Sequence, residues 1–260
     1  MRGRFERTMA AGILLVVTAS GCSAQSHPVP TTSITVYASS AMIKSLTAIG
    51  KRFEAENPGT SVEFIFAGSS GLSEELADGN GADVFVSGDH ENMAAVEKAG
   101  LIDSTPVPIA ANSLVIATAS GNPAHLASLA DLARPGVRAA VCGGPGTCGS
   151  VVRQLEDRSG IRLNPVNIDM TETDVLRDVG TGKVDAGLVF KTDVLNAGDN
   201  VSWFAFPEAA DATVTSWIAP LKDSDQAQLA KKFVEDVTDV ASRKVFADAG
   251  FAEPNEKFDS

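Results

Sequence analysis

Two hydrophobic rhythms alternate along this chain. Ile34-Thr35-Val36-Tyr37 alternates apolar and polar positions and is rich in β-forming residues, which predicts a strand. After Ala38-Ser39-Ser40-Ala41, the residues Met42, Ile43, Leu46, Ile49 and Phe53 share one helical face until Asn57-Pro58-Gly59 stops the run. Strand, polar loop and helix then repeat. Residues 62–66 read as a strand, and Gly68-Ser69-Ser70-Gly71 leads into a helix through Leu72 and Leu76. Residues 83–87 read as a third strand, followed by a helix over 92–99. Strands are predicted at 113–119, 137–142, 185–190 and 213–219. Helices are predicted at 128–132, from Val151 through Leu155, after Thr171 through Val179, and over 226–240 and 242–249.

Alternating strands and helices imply an α/β fold with mainly parallel sheets covered by helices. Two sheets of ordinary size suit this chain better than one of eight or more strands. The chain is expected to cross from a first lobe to a second near Asn112 and to return near Thr215. This gives lobe I as residues 34–111 plus 216–260 and lobe II as 112–215. The chain has 260 residues, 44% of them hydrophobic and 21% charged, enough apolar residues for a real core. The mean hydropathy of +0.06 is too low for a polytopic membrane protein. With 21 basic against 33 acidic residues the net charge is -12, which argues against nucleic-acid binding.

The N-terminus reads as an address. Arg2, Arg4 and Arg7 precede an apolar run over 9–17, and Ala19-Ser20-Gly21-Cys22 follows. This resembles a bacterial lipobox, with residues 1–21 as signal peptide and Cys22 as the lipidated first residue. An ordinary secretory signal cleaved near Cys22 is the alternative. Residues 22–33 read as a flexible tether. Cleavage removes three Arg and Glu6, leaving 18 basic and 32 acidic residues, a net charge of -14. In an oxidising compartment Cys142 and Cys148, six apart, suggest a short disulfide loop. A reactive thiol would need a His partner, and a Cys-based metal site would need more ligands.

Four polar loops lead into predicted helices: Ser39-Ser40-Ala41, Gly68-Ser69-Ser70-Gly71, Thr147-Cys148-Gly149-Ser150 and 171–175. A helix start carries unpaired N–H groups and a partial positive charge, and small residues let an anion approach closely. Each loop alone is explained by ordinary capping. Their repetition in an exported chain suggests one anion held in a cleft. None of the four loops places Asp or Glu squarely among the donors. Gly144-Pro145-Gly146-Thr147-Cys148-Gly149 matches a dinucleotide fingerprint in form only. It lies mid-chain, is stiffened by Pro145, and has no acidic residue at the right distance. There is no G-x-S-x-G elbow, and His27, His90 and His125 sit in polar contexts. No catalytic residue and no cofactor is therefore assigned. An exported enzyme using the anion hole remains a second class, and a receptor without a ligand a third.

Several segments together resemble the molybdate-binding proteins of bacterial molybdate ABC transporters. They are Ile34-Thr35-Val36-Tyr37-Ala38-Ser39-Ser40, Phe66-Ala67-Gly68-Ser69-Ser70, 81–87, Asn112-Ser113-Leu114-Val115, Cys148-Gly149, Thr173-Asp174-Val175, 185–189, Phe206-Pro207-Glu208 and Gly250-Phe251. The lipobox and the Cys142–Cys148 loop resemble the actinobacterial version. The resemblance implies a two-lobed type II periplasmic binding protein that holds molybdate or tungstate without a countercharge or direct metal ligands. Its implied partner is an ABC permease in the cytoplasmic membrane, reached by a monomer lipid-anchored on the outer face. By the same resemblance the ligand is held at Ser40, Ala41, Ser69, the N–H groups of Cys148 and Val175, and the position of Phe190. Two positions depart from the family pattern. Ala41 stands where Ser is usual, with Ser40 before it, and Phe190 stands where Tyr is common. Each lost hydroxyl costs a buried anion about 1.5–3 kcal/mol unless a neighbour compensates. Sulfate or another oxyanion is the alternative ligand.

Overall fold

The computed structural model describes residues 32–143, 146–169 and 171–254. The signal, Cys22, residues 23–31 of the expected tether and Pro145 lie outside the described residues, while Thr32 and Ser33, also assigned to the tether, are the first residues of β1 and pair with Thr60 and Ser61. The first half of the chain follows the predicted order. Strand β1 (Thr32–Ser39) enters a 3-10 turn (Ser40–Met42) and helix α1 (Ile43–Glu56). Then come β2 (Thr60–Ala67), α2 (Ser69–Ala77), β3 (Val84–Ser87) and α3 (His90–Lys98). The strand predicted at 113–119 is the second half of β4 (Val107–Ala119). Its first half escaped prediction because Pro108 argues against a strand interior. Pro108 sits at an irregularity of the pairing, between Pro108 and Ala110.

The second half holds α4 (Leu129–Leu132), β5 (Ala139–Cys142), α5 (Thr147–Ser159), β6 (Asn167–Asp169) and α6 (Glu172–Gly180). It continues with β7 (Ala186–Phe190), α7 (Lys191–Ala197), β8 (Val201–Phe204), β9 (Thr213–Pro220), α8 (Ala227–Val237) and α9 (Val240–Asp248). β6, α7 and β8 were not predicted. β6 and β8 are three and four residues long, and α7 is a seven-residue helix abutting β7, too short for a periodic signal.

The strands form one continuous nine-stranded sheet, ordered β2-β1-β3-β9-β4-β7-β5-β6 with β8 also on β4, rather than the two separate sheets expected, because the long β4 runs through both halves and joins them. The parallel pairs are β1 with β2 and β3, and β5 with β6 and β7. β4 and β9 add antiparallel pairs between them, so each half is mixed rather than purely parallel. β4 changes partner midway. Residues up to Ser113 pair with β9, and Leu114 onward pairs with β7.

The apolar core divides at the same strand. Ile34, Val36, Leu46, Phe53, Val84 and Phe233 form a cluster under α1, α8 and α9. Tyr37, Leu72, Phe85 and Met93 form another with α2 and α3. The first half of the sheet is thus covered on both faces, as parallel strands require. Leu114, Ile116, Val141, Leu155, Val175 and Leu188 belong to the third and largest cluster. There α6 presses so close to β7 that a Cβ on Gly187 would sit 2.3 Å from Val175 Cγ1.

Candidate functional site

Parallel strands aim their C-terminal ends at one side of a sheet, and the loops leaving them gather there. Ser39 ends β1, Gly68 follows β2, Gly88 follows β3, Gly146 precedes α5, and Phe190 ends β7. All of them line one cavity of about 510 Å³. Ser40, Ala41, Ser69, Thr147, Cys148, Glu172, Thr173 and Asp193 line it too. No Lys, Arg or His does so among the described residues.

The donors are hydroxyls and helix starts. In α2 the first N–H bonded back is that of Leu72, to Gly68 O at 3.1 Å. In α5 it is that of Ser150, to Gly146 O at 3.1 Å. The leading N–H groups of both helices, at residues 69–71 and 147–149, therefore face outward without a partner in the helix. Ser69 is buried, and its Oγ accepts the N–H of Gly88 at 2.9 Å, which leaves its own hydrogen for another acceptor. A Cβ on Gly88 would stand 2.8 Å from Ser39 Oγ and 3.3 Å from Ser69 Oγ. That glycine lets the two serines share one floor.

Five of the six residues assigned from sequence meet in this cavity: Ser40, Ala41, Ser69, Cys148 and Phe190. Val175 is not among its lining residues. It is fully buried against Gly187, and its N–H donates to Thr171 O at 3.1 Å. At this helix the residues facing the cavity are Thr171, Glu172 and Thr173. Thr171 caps α6, its Oγ1 accepting the N–H of Asp174 at 3.2 Å.

Cys142 and Cys148 are joined as a disulfide, their Cα atoms 5.7 Å apart. The bond ties the end of β5 to the first turn of α5 and so holds the Cys148 N–H in place. The carboxylate of Glu172 lies within 4.8 Å of both sulfurs. Because the sulfurs are bonded to each other, they offer no thiolate to a metal.

The chain matches, over residues 34–252, the profile of the bacterial extracellular solute-binding proteins. It belongs to that family. A curated relative, the molybdate-binding protein ModA of Mycobacterium tuberculosis, is 44% identical over 97% of each chain. Among solved structures, the substrate-binding domain of a putative molybdenum ABC transporter from Clostridium difficile superposes with a TM-score of 0.73 at 18% identity. It covers 86% of this chain and all of its own. The sulfate-binding protein SubI of M. tuberculosis gives 0.70 at 20% identity over 86% of this chain and 88% of its own. These two share the two-lobed α/β fold. As a member of this family the chain has a solute-binding role. Among its described residues no helix is long and apolar enough to cross a membrane.

The cavity also holds two acids that sequence reasoning missed. Glu172, in the loop over 171–175, lines it and corrects the expectation that none of the four loops places an acid squarely among the donors, and Asp193 of α7 lines it too. Asp193 Oδ2 accepts the N–H of Phe190 at 3.1 Å. Burial, with Glu172 nearby as a second cause, pushes the Asp193 carboxyl up to about 7 despite that bond. Burial raises Glu172 as well. Glu172 was legible as a neighbour of the capping Thr171. Asp193 was not, because it sits on the unpredicted α7.

Proposed function

We propose that this protein captures a tetrahedral oxyanion, molybdate or tungstate, and delivers it to an ABC permease. One observation carries the reading: a cavity with no Lys, Arg or His among its described lining residues is floored by hydroxyls and ringed by helix starts from both halves of the sheet. Such a site suits a dianion that sheds its water for neutral, pre-aimed donors. The 44% identity to the mycobacterial molybdate-binding protein supports this choice of anion.

The ligand contacts are Ser40, Ala41, Ser69, the Cys148 N–H and the rim at Phe190, with Val175 acting through the packing of α6. The lobes are residues 34–111 plus 216–260 and 112–215, and β4 changing partner after Ser113 supports that division. An anion bridging donors of both lobes favours the closed state, which docks on the permease. The protein works as a monomer, lipid-anchored at Cys22 on the outer face of the membrane. A second reading keeps the same mechanism with sulfate as the ligand, since a sulfate-binding protein shares this fold.

Calorimetric titration with molybdate, tungstate, sulfate and phosphate tests the proposal. Tight one-to-one binding of molybdate and tungstate with sulfate silent is the expected result. Sulfate binding alone favours the second reading, and silence from all four anions ends both.

A further inference from the structure

Glu172 and Asp193 pose a physical problem for an anion receptor. The cleft wall offers two carboxyls and no cation among the described residues. If both were ionised, a bound dianion would add to two negative charges in a partly desolvated space, which is strongly unfavourable. A carboxyl that keeps its proton changes sign in this argument. It becomes an O–H donor aimed at whatever fills the cavity.

Resting on the oxyanion reading above, we propose that the Asp193–Glu172 pair determines ligand specificity by holding one proton and donating it as a hydrogen bond to the bound anion. Capture above neutral pH is therefore coupled to uptake of up to one proton from solvent. No bond other than the carboxyl O–H forms, and no co-reactant is needed.

The surroundings of the pair support this role. Asp193 Oδ2 already receives the Phe190 N–H, so the other oxygen is left to carry the proton. Phe190 lines the cavity without a hydroxyl of its own, and the Asp193 carboxyl beside it can donate in its place. The strands packed against α7, namely β4, β7 and β8, contain no charged residue. On α6, Asp174 is paired with Arg177 at 2.6 Å and Asp178 with Lys183 at 2.6 Å. Lys191 opens α7 itself, and Asp199 lies in the turn that follows it. Lys44 of α1 reaches α7 at Asn196 Oδ1, 3.4 Å away, one turn past Asp193. Asp193 is raised through burial and Glu172, with no cation among the causes. A group so placed is half-protonated near neutral pH and gains its proton fully when an anion arrives.

The same chemistry sorts ligands. A protonated carboxyl satisfies an acceptor-only oxyanion, whereas hydrogenphosphate carries a proton and needs an acceptor. The pair thus favours molybdate, tungstate or sulfate over phosphate.

Calorimetry with molybdate at pH 6, 7 and 8, in two buffers of different ionisation enthalpy, tests this on the full exported chain. Wild-type protein should take up close to one proton per anion at pH 8 and little at pH 6. Its affinity should fall about tenfold from pH 6 to pH 8. Asp193→Asn should abolish the uptake and flatten the profile, and Glu172→Gln should move the profile to lower pH. The uptake in the wild type needs no variant, so a poorly folding Asp193→Asn does not remove the test. Binding of molybdate without proton uptake, or phosphate bound more tightly than molybdate at pH 8, overturns this inference alone. Binding of no oxyanion at any pH overturns the proposed function with it.

Discussion

The Thr147 hydroxyl donates to Asp89 Oδ2 at 2.6 Å, joining two loops 58 residues apart. Asp89 follows β3 of the first half of the sheet and caps α3, accepting the N–H of Asn92 at 2.8 Å. Thr147 follows β5 of the second half and opens α5 beside Cys148. The bond therefore links the two halves of the sheet beside the cavity, which Gly88 and Thr147 both line. Thr147→Val keeps the shape and deletes the donor. Losing a hydrogen bond to a charged acceptor at a half-buried site costs about 1–2 kcal/mol. Oxyanion affinity measured by titration should fall about fivefold to thirtyfold, with little change in melting temperature.

Ser69 and Gly88 make the floor of the site. Ser69→Ala removes a hydroxyl aimed into the cavity and should weaken binding by about 1.5–3 kcal/mol. Gly88→Ala places a methyl 2.8 Å from Ser39 Oγ and must push it aside. That overpacking should cost about 1–3 kcal/mol of stability and suppress binding. Thermal melts together with titrations separate the two effects. Gly88→Ala should lower both readings, and Ser69→Ala mainly the second.

The raised Asp193 makes a stability prediction for the ligand-free protein. Its carboxyl titrates near 7 when folded, against an ordinary value near 3.8. The folded state thus binds a proton that the unfolded state has released, and the stability this gives is lost as pH rises through about 7. Melting temperature should drop from pH 5 to pH 8 more in the wild type than in Asp193→Asn. The variant should therefore be the more stable of the two at pH 8.

The Cys142–Cys148 bond closes a loop of six residues in sequence separation. By loop entropy alone a ring this small contributes roughly 2 kcal/mol. Reduction, or Cys142→Ser with Cys148→Ser, should lower the unfolding free energy by about that much, read as a fall in melting temperature. It should also loosen the Cys148 N–H, so oxyanion affinity should fall further than the stability loss requires. Melts and titrations with and without reductant check both.

Much of the fold could be read in the chain. The strands at Ile34, Val84 and Val141 are short apolar runs bounded by polar loops, and the helices after them repeat at the right spacing. What escaped was set by context. Pro108 hid the first half of β4, and β6, α7 and β8 are too short to carry a period. The site followed the same rule. Ser40, Ala41, Ser69 and Cys148 sit where a loop meets a helix, and that junction is visible in sequence. Asp193 depends on α7 folding back against α6, and its shifted proton depends on burial beside Glu172. Val175 was assigned through a backbone N–H, but the close approach of α6 to Gly187 shows it as core.

The central claim is that one oxyanion lies between the two halves of the sheet, held by the helix starts of α2 and α5. Crystals grown with tungstate would test it most directly, because tungsten scatters anomalously and marks its own position. The account predicts a single strong peak in the cleft, within hydrogen-bonding distance of Ser69 and the Cys148 N–H. A peak elsewhere on the surface, or none in protein that is folded and disulfide-bonded, would contradict it.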